Sequence, residues 1–411
     1  MAKFLVVDSE HGTEVPFLRG ILIRSLQDAG LAFEEAHRIA SEIRDDLNES
    51  GSVTTRKLRA TVLNRLRSKP DRSVLQRYRA GSTSALQVLV EYENGLCVPF
   101  SRAYHQRRLE ACAVNTEEAV ALTRTLYKHV IEQGKTTIHS HHLDGLTHAC
   151  LEHELGPAVA NRYMVWTDFV HSGRPLVLLI GGTAGCGKST TATHLAHRLD
   201  IVRTQSTDML REVMRMMTPK RLLPGLHTSS FEAWRALPGA DPERGCSDAQ
   251  LIDGFHAQAE LLAVACEGVM QRALRERVSL ILEGVHISPS ILERIRGTVA
   301  DNALVVPVML AVLQRDELRE RIRGRGVAAP QRRAKRYLEH FDAIWRLQSA
   351  LLDEADAAHV PIFENNDKDE LFLEIMRHII VILSRDFSRK PAQVFKRRPA
   401  SLHATSPASG S

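Results

Sequence analysis

Residues 176–190 read Leu176-Val177-Leu178-Leu179-Ile180-Gly181-Gly182-Thr183-Ala184-Gly185-Cys186-Gly187-Lys188-Ser189-Thr190. The apolar run Leu176–Ile180 has the composition of a buried parallel strand. Thr190 to Leu199 reads as an amphipathic helix. Between them, Gly182–Ser189 carries the spacing of a phosphate-binding loop, and strand–loop–helix is the setting that motif requires. The glycines let the backbone curl so that successive N–H groups face phosphate oxygens. The helix start adds a partial positive charge. Lys188 reaches the outer phosphates, and the Ser189 hydroxyl suits Mg²⁺. A nucleoside triphosphate is therefore expected on Gly182, Thr183, Ala184, Gly185, Cys186, Gly187, Lys188, Ser189 and Thr190.

Working outward, five apolar runs alternate with helical stretches: 176–180, 201–204, 278–282, 304–313 and 360–363. This alternation predicts an α/β domain over 175–384, with a doubly wound parallel sheet of about five strands and its ligand at their C-terminal ends. The N-terminal part carries an internal repeat. Gly12-Thr13-Glu14-Val15-Pro16-Phe17-Leu18-Arg19 recurs as Gly95-Leu96-Cys97-Val98-Pro99-Phe100-Ser101-Arg102, an offset of 83. Each copy reads as a short strand, a turn and then helices, which predicts a duplicated, mainly helical module: unit 1 over 1–67, a linker over 68–85 and unit 2 over 86–170.

At 411 residues the chain exceeds one ordinary core. It has no apolar stretch near the roughly 20 residues of a membrane span, and its first residues lack a signal peptide's apolar core. Six scattered cysteines without a CxxC pair suggest reduced thiols and a cytoplasmic protein. His139, His141, His142, Asp144 and His148 match no familiar zinc spacing and read as a polar loop or helix start. The net charge of +5 resides in 385–411, where six Lys/Arg face one acid. That segment reads as a basic, disordered tail. The neutral body gives no footprint for specific nucleic acid, and nothing points to a membrane partner. A homo-oligomer is left open.

A phosphate loop names the nucleotide but not the acceptor, so the other strand ends must decide. After the second strand, Asp208 would face Lys188 across the site, placed to orient or deprotonate an acceptor hydroxyl or to hold Mg²⁺ through water. Arg211 and Arg215, one helical turn apart, suit a phosphate or carboxylate on the substrate. Glu283 closes the third strand in Glu283-Gly284-Val285-His286, where an acid supports Mg²⁺; His286 is placed to touch the acceptor. Arg319, Arg321, Arg323, Arg325, Arg332, Arg333 and Arg336 form a dense basic segment. It reads as a lid whose fixed charge offsets that of the transferring phosphoryl, with Gly324 and Gly326 as hinges and Arg321 and Arg325 as the leading catalytic candidates.

Gly181–Thr190, Ser206–Arg215, Glu283–His286 and Arg336–Phe341 together resemble the motifs of the 2-phosphoglycerate kinase family. The segment Val15–Leu22 is similar to that family's N-terminal ATP-cone-like module, which here looks duplicated. The second copy reads Arg102-Ala103 where the first has Arg19-Gly20. The resemblance implies a P-loop kinase that uses ATP and Mg²⁺ to phosphorylate 2-phosphoglycerate, a small phosphorylated metabolite. The residues by themselves leave open a kinase of another such metabolite (a sugar or inositol phosphate) or a nucleotide-dependent regulatory or scaffold protein.

Overall fold

The structure, a computed structural model, describes residues 5–7, 14–48, 51–67, 72–79, 88–132, 137–292, 303–328, 331–387 and 390–395. The chain divides into two compact units, 1–89 and 90–411. The first contains β1 (Leu5–Val7), β2 (Glu14–Pro16), α1 (Arg19–Asp28), α2 (Phe33–Asn48), β3 (Ser52–Thr54), α3 (Thr55–Arg67) and α4 (Arg72–Arg79). Its strand order is β2-β1-β3, with β1 antiparallel to β2 and parallel to β3. Parallel pairing of β1 with β3 requires a long crossover, which α1 and α2 supply. Leu26, Ala36, Ile43, Val62 and Leu66 form its core.

The second unit opens by repeating that plan. β4 (Leu89–Glu91), β5 (Cys97–Pro99), α5 (Arg102–Glu110), α6 (Thr116–Glu132), β6 (Thr137–His139), α7 (Ser140–Leu155) and α8 (Pro157–Ser172) follow in the same order. The strand order β5-β4-β6 matches β2-β1-β3 position for position. Strands β2 and β5 stand 83 residues apart, the offset read in the sequence. His139 caps α7, and His141, His142, Asp144 and His148 lie on that helix.

The α/β part comprises β7 (Leu176–Gly181), α9 (Lys188–Arg198), β8 (Arg203–Ser206), α10 (Thr207–Met217), two 3₁₀ turns (Pro224–His227 and Ser230–Ala236), α11 (Asp248–Arg275), β9 (Leu280–Glu283), β10 (Leu304–Ala311), α12 (Arg315–Ala328), α13 (Gln331–Glu339), α14 (Phe341–Ala357), β11 (Ile362–Glu364), α15 (Lys368–Leu383) and the short α16 (Pro391–Val394). Its sheet is parallel with order β11-β10-β7-β9-β8. All five strands expected from the sequence are present. β7 is central and wholly buried, and its side chains alternate between two layers. Leu176, Leu178 and Ile180 face a core with α9, α12 and α15; Val177 and Leu179 face one with α11 and α14. Each such side chain contributes about 1.5–3 kcal/mol by burial. The order reverses between β7 and β10, so the loop after β7 emerges at the switch point.

Three expected boundaries shift. The linker expected over 68–85 holds α4, whose Val74 and Tyr78 are buried in the first unit's core, so that unit extends past 67. The break at 170–175 does not separate compact units, because Leu109, Leu151, Tyr163 and Trp166 share one core with β7 and α15. The tail boundary expected at 385 does not hold for the described residues beyond it. Phe387 meets the Phe169 ring edge-on at 5.6 Å and Val394 is buried, so two apolar side chains anchor the chain beyond α15. Residues 396–411, with Lys396, Arg397 and Arg398, lie outside the described residues. No described helix is long and apolar enough to cross a membrane.

Candidate active site

The loop between β7 and α9 is shaped by four glycines under different constraints. A Cβ on Gly181 or Gly182 would fall 2.3 Å from Ile287 O or 2.4 Å from Leu310 O. Gly187 has φ +85 and caps α9 in the left-handed region, where a Cβ would lie 2.2 Å from Asn365 Nδ2. Gly185 has φ +98. The loop is also held from outside. Asn365 Nδ2 donates to Cys186 O at 2.7 Å. Thr183 Oγ1 donates to Gln348 Oε1 at 3.2 Å, and Gln348 Nε2 to Val312 O at 2.9 Å. The buried Lys188 donates from Nζ to Thr183 O at 2.7 Å, within the loop it serves.

Register brings three strand ends together, pairing Glu283 of β9 with both Ile180 of β7 and Ser206 of β8. Ser189 Oγ donates to Glu283 Oε1 at 2.9 Å. A hydroxyl and a buried carboxylate side by side at the start of α9 form an oxygen donor set that fits a hard divalent cation. On the neighbouring strand, Ser206 rather than Asp208 caps α10, accepting from Asp208 N–H at 3.2 Å. The Asp208 carboxylate is thereby left largely exposed, 3.9 Å from Arg211 Nε.

The remaining candidates take different places. Arg211 Nη1 donates to Thr228 O at 2.7 Å and to Leu226 O at 3.4 Å, while its Nε is buried without a hydrogen bond. Arg215 turns outward to Glu212, whose hydrogen bond raises its pKa. The two arginines therefore do not act as a pair. His286 is fully buried, with Nδ1 3.1 Å from Thr207 Oγ1 and Nε2 2.9 Å from Gln258 Oε1. A carbonyl oxygen only accepts, so the proton is assigned to Nε2. Burial pushes its pKa down to about 4, leaving a neutral ring with no atom free for an acceptor. Gly284 leaves no room beside it; a Cβ there would lie 1.8 Å from Thr207 Oγ1.

Arg321 lies on α12 and spends its guanidinium on neighbouring groups. Its guanidinium donates to Glu317 Oε1 at 3.0 Å and to Asn365 O. The side chains of Arg325, Arg332 and Arg333 lie outside the described residues. Farther along, Arg336 pairs with Glu232, and Tyr337 and His340 set their rings against Phe231 at 5.6 and 5.2 Å. Asn365, Gln348 and Gln258 escaped the sequence reading. Asn365 directly follows β11, so asking what stands at each of the five strand ends would have raised it.

No family model matches the chain. The 2-phosphoglycerate kinase of Pyrococcus furiosus is 32% identical over 292 residues, covering 71% of this chain and 93% of that protein. That of Methanopyrus kandleri is 32% identical over 286 residues, covering 69% and 84%. The chain belongs to the 2-phosphoglycerate kinase family. Family membership makes it a kinase with an alcohol group as acceptor, in keeping with the loop and strand ends above. Among solved structures, a shikimate kinase from Acinetobacter baumannii in complex with shikimate is 13% identical with a TM-score of 0.30, covering 52% of this chain and 98% of that one. A gluconokinase from Sinorhizobium meliloti is 16% identical at 0.27, covering 52% and 94%.

Proposed function

We propose that this kinase transfers the γ-phosphoryl of ATP to the 3-hydroxyl of 2-phosphoglycerate, giving ADP and 2,3-bisphosphoglycerate. The observation that carries the reading is the 2.9 Å contact between Ser189 and Glu283 beside the phosphate loop, with Asp208 in the first turn of α10, just past the adjoining strand end. The acceptor's identity comes from the names of the relatives. The loop amides and Lys188 hold the donor's phosphates. Ser189 and Glu283 hold Mg²⁺, which when bound neutralises charge on the phosphate oxygens. Asp208 orients the acceptor hydroxyl and takes its proton as oxygen bonds to the γ-phosphorus and the bond to the β–γ bridging oxygen breaks. The buried, unbonded Nε of Arg211 is a donor for the acceptor's phosphate or carboxylate. Because Arg321 is held by Glu317 and Asn365, charge compensation from the lid falls to arginines beyond it, with Arg325 the first candidate.

The test is product mass and ADP release with 2-phosphoglycerate, 3-phosphoglycerate, inositol phosphates and sugar phosphates. Turnover of 2-phosphoglycerate is expected to lead the panel. Lys188→Ala is expected to lower kcat by roughly 100-fold or more, the loss of one fixed charge on the transferring group. Turnover of every acceptor except 2-phosphoglycerate would overturn the substrate, and an active Lys188→Ala would overturn the site.

A further inference from the structure

Gln258 lies in the middle of α11 on a stripe otherwise made by Leu251, Phe255, Leu262 and Cys266, and is 1% exposed. An amide in such surroundings is costly unless each polar atom is satisfied. Its Oε1 accepts from His286 Nε2 at 2.9 Å. Its Nε2 donates to Gly225 O at 2.6 Å and Thr228 O at 3.1 Å, with Thr228 Oγ1 at 3.3 Å. Arg211 of α10 donates to Thr228 O and Leu226 O of the same turn. Two helices thus grip three carbonyls of one 3₁₀ turn.

A second observation fixes the rest of this segment to the same helix. One turn before Gln258, a Cβ on Gly254 would fall 2.2 Å from Trp234 N and 2.3 Å from Trp234 Cα. The backbone of the second 3₁₀ turn therefore rests directly on α11, with no side chain between. The arm 224–236 is docked at two points four residues apart. At its other side, Thr207 Oγ1 meets His286 Nδ1, which joins the start of α10 to the network.

We infer that Gln258 is a positioning residue for the acceptor, fixing the 224–236 arm relative to Asp208 at the start of α10 and Glu283 at the end of β9. The inference rests on the acceptor reading above and extends it: selectivity for a phosphorylated three-carbon hydroxy acid is set by a residue that does not touch it. A hydrogen-bond chain runs from Thr207 through His286 and Gln258 to Gly225 and Thr228. It holds the arm in register with Asp208, one residue beyond Thr207. Loosening the arm misplaces the acceptor against Asp208 while leaving the phosphate loop untouched, since that loop is held by Asn365 and Gln348.

The test is steady-state kinetics of the full chain with 2-phosphoglycerate and 3-phosphoglycerate. Wild type is compared with Gln258→Met, which keeps length but removes every hydrogen bond, and Thr228→Val, which removes one hydroxyl of the turn. Gln258→Met is expected to raise the KM for 2-phosphoglycerate about tenfold, the loss expected when buried partners are left unpaired. The preference for 2-phosphoglycerate in kcat/KM should fall while the KM for ATP stays within about twofold. Thr228→Val should move the same quantities the same way by a smaller factor, and it decides alone if thermal melting shows Gln258→Met to be unfolded. Equal losses on both acceptors, or a matching rise in the KM for ATP, would overturn the inference. A wild-type chain active on 2-phosphoglycerate with unmoved variants removes the inference alone. A wild-type chain inactive on both acceptors removes the acceptor reading and the inference with it.

Discussion

Gly187 and Asn365 are 178 positions apart in the chain and share one contact on which the phosphate loop depends. Gly187 has a left-handed φ, and Asn365 Nδ2 both donates to Cys186 O and fills the space a side chain on residue 187 would need. Asn365→Ala removes that donor and leaves a buried carbonyl unpaired, a cost of about 1–3 kcal/mol. The expected outcome is a KM for ATP raised about tenfold or more with little change in the KM for the acceptor; titration with nucleotide checks it, and an unmoved ATP affinity would make Asn365 a bystander. The loop itself was legible because its function forces a contiguous pattern. Asn365 was not, because sequence shows where a strand ends but not which loop lies opposite. Arg211 and His286 teach the same limit from the other side. Their spacing placed them near the site, but only the fold shows Arg211 spending two bonds on the arm and His286 turned wholly inward.

Among elements, α13 and the 224–236 arm are joined by one cluster. Glu232 is largely buried on the second 3₁₀ turn and meets Arg336 of α13, with His340 at 3.5 Å and Arg235 at 3.9 Å. Phe231 beside it packs on Tyr337 and His340. Arg336–Phe341, which the sequence marked as a family motif with Arg336 counted in the basic segment, thus places α13 against the segment proposed to position the acceptor. Arg336 is about half exposed, so solvent screening limits the pair to about 1 kcal/mol. Glu232→Gln is accordingly expected to lower kcat by about fivefold, with the KM for ATP nearly constant. Adding Arg336→Gln should cost little more if the two act through each other, which a double-mutant cycle reads directly. Fully additive losses would mean that the contact does not couple the elements. The arginine-rich run was legible as a basic segment, but each arginine's direction depends on where α12 and α13 lie, and spacing alone does not give that.

Across the whole molecule, the repeat was legible as an offset, whereas the fusion of its second copy with the α/β part was not. The shared core consists of apolar residues that any domain would carry, so nothing in the sequence marks them as common to both parts. The Pyrococcus furiosus relative is matched over 93% of its length by 71% of this chain, so more than a quarter of the chain has no counterpart in that match. One consequence of a single core is a shared response to acid. His286 belongs to the α/β part and His105 to the second repeat, where its ring nitrogens lie 3.0 and 3.1 Å from Thr123 and Thr147 hydroxyls. Burial lowers His105 to about 3 and His286 to about 4. The unfolded chain binds these protons near pH 6.5 and the folded chain only well below it. Each residue therefore contributes stability that is fully present above about pH 6.5 and is lost as pH falls through the folded values. The contribution is on the order of a few kcal/mol apiece, a large part of the 5–15 kcal/mol typical of a folded domain. The urea midpoint of the second unit is expected to drop steeply between pH 6.5 and 4. His105→Gln should flatten that slope in a transition that still includes both parts. A slope unchanged by the substitution would mean that His105 does not drive acid unfolding, and two separate transitions would mean that the repeat and the sheet do not share one cooperative core.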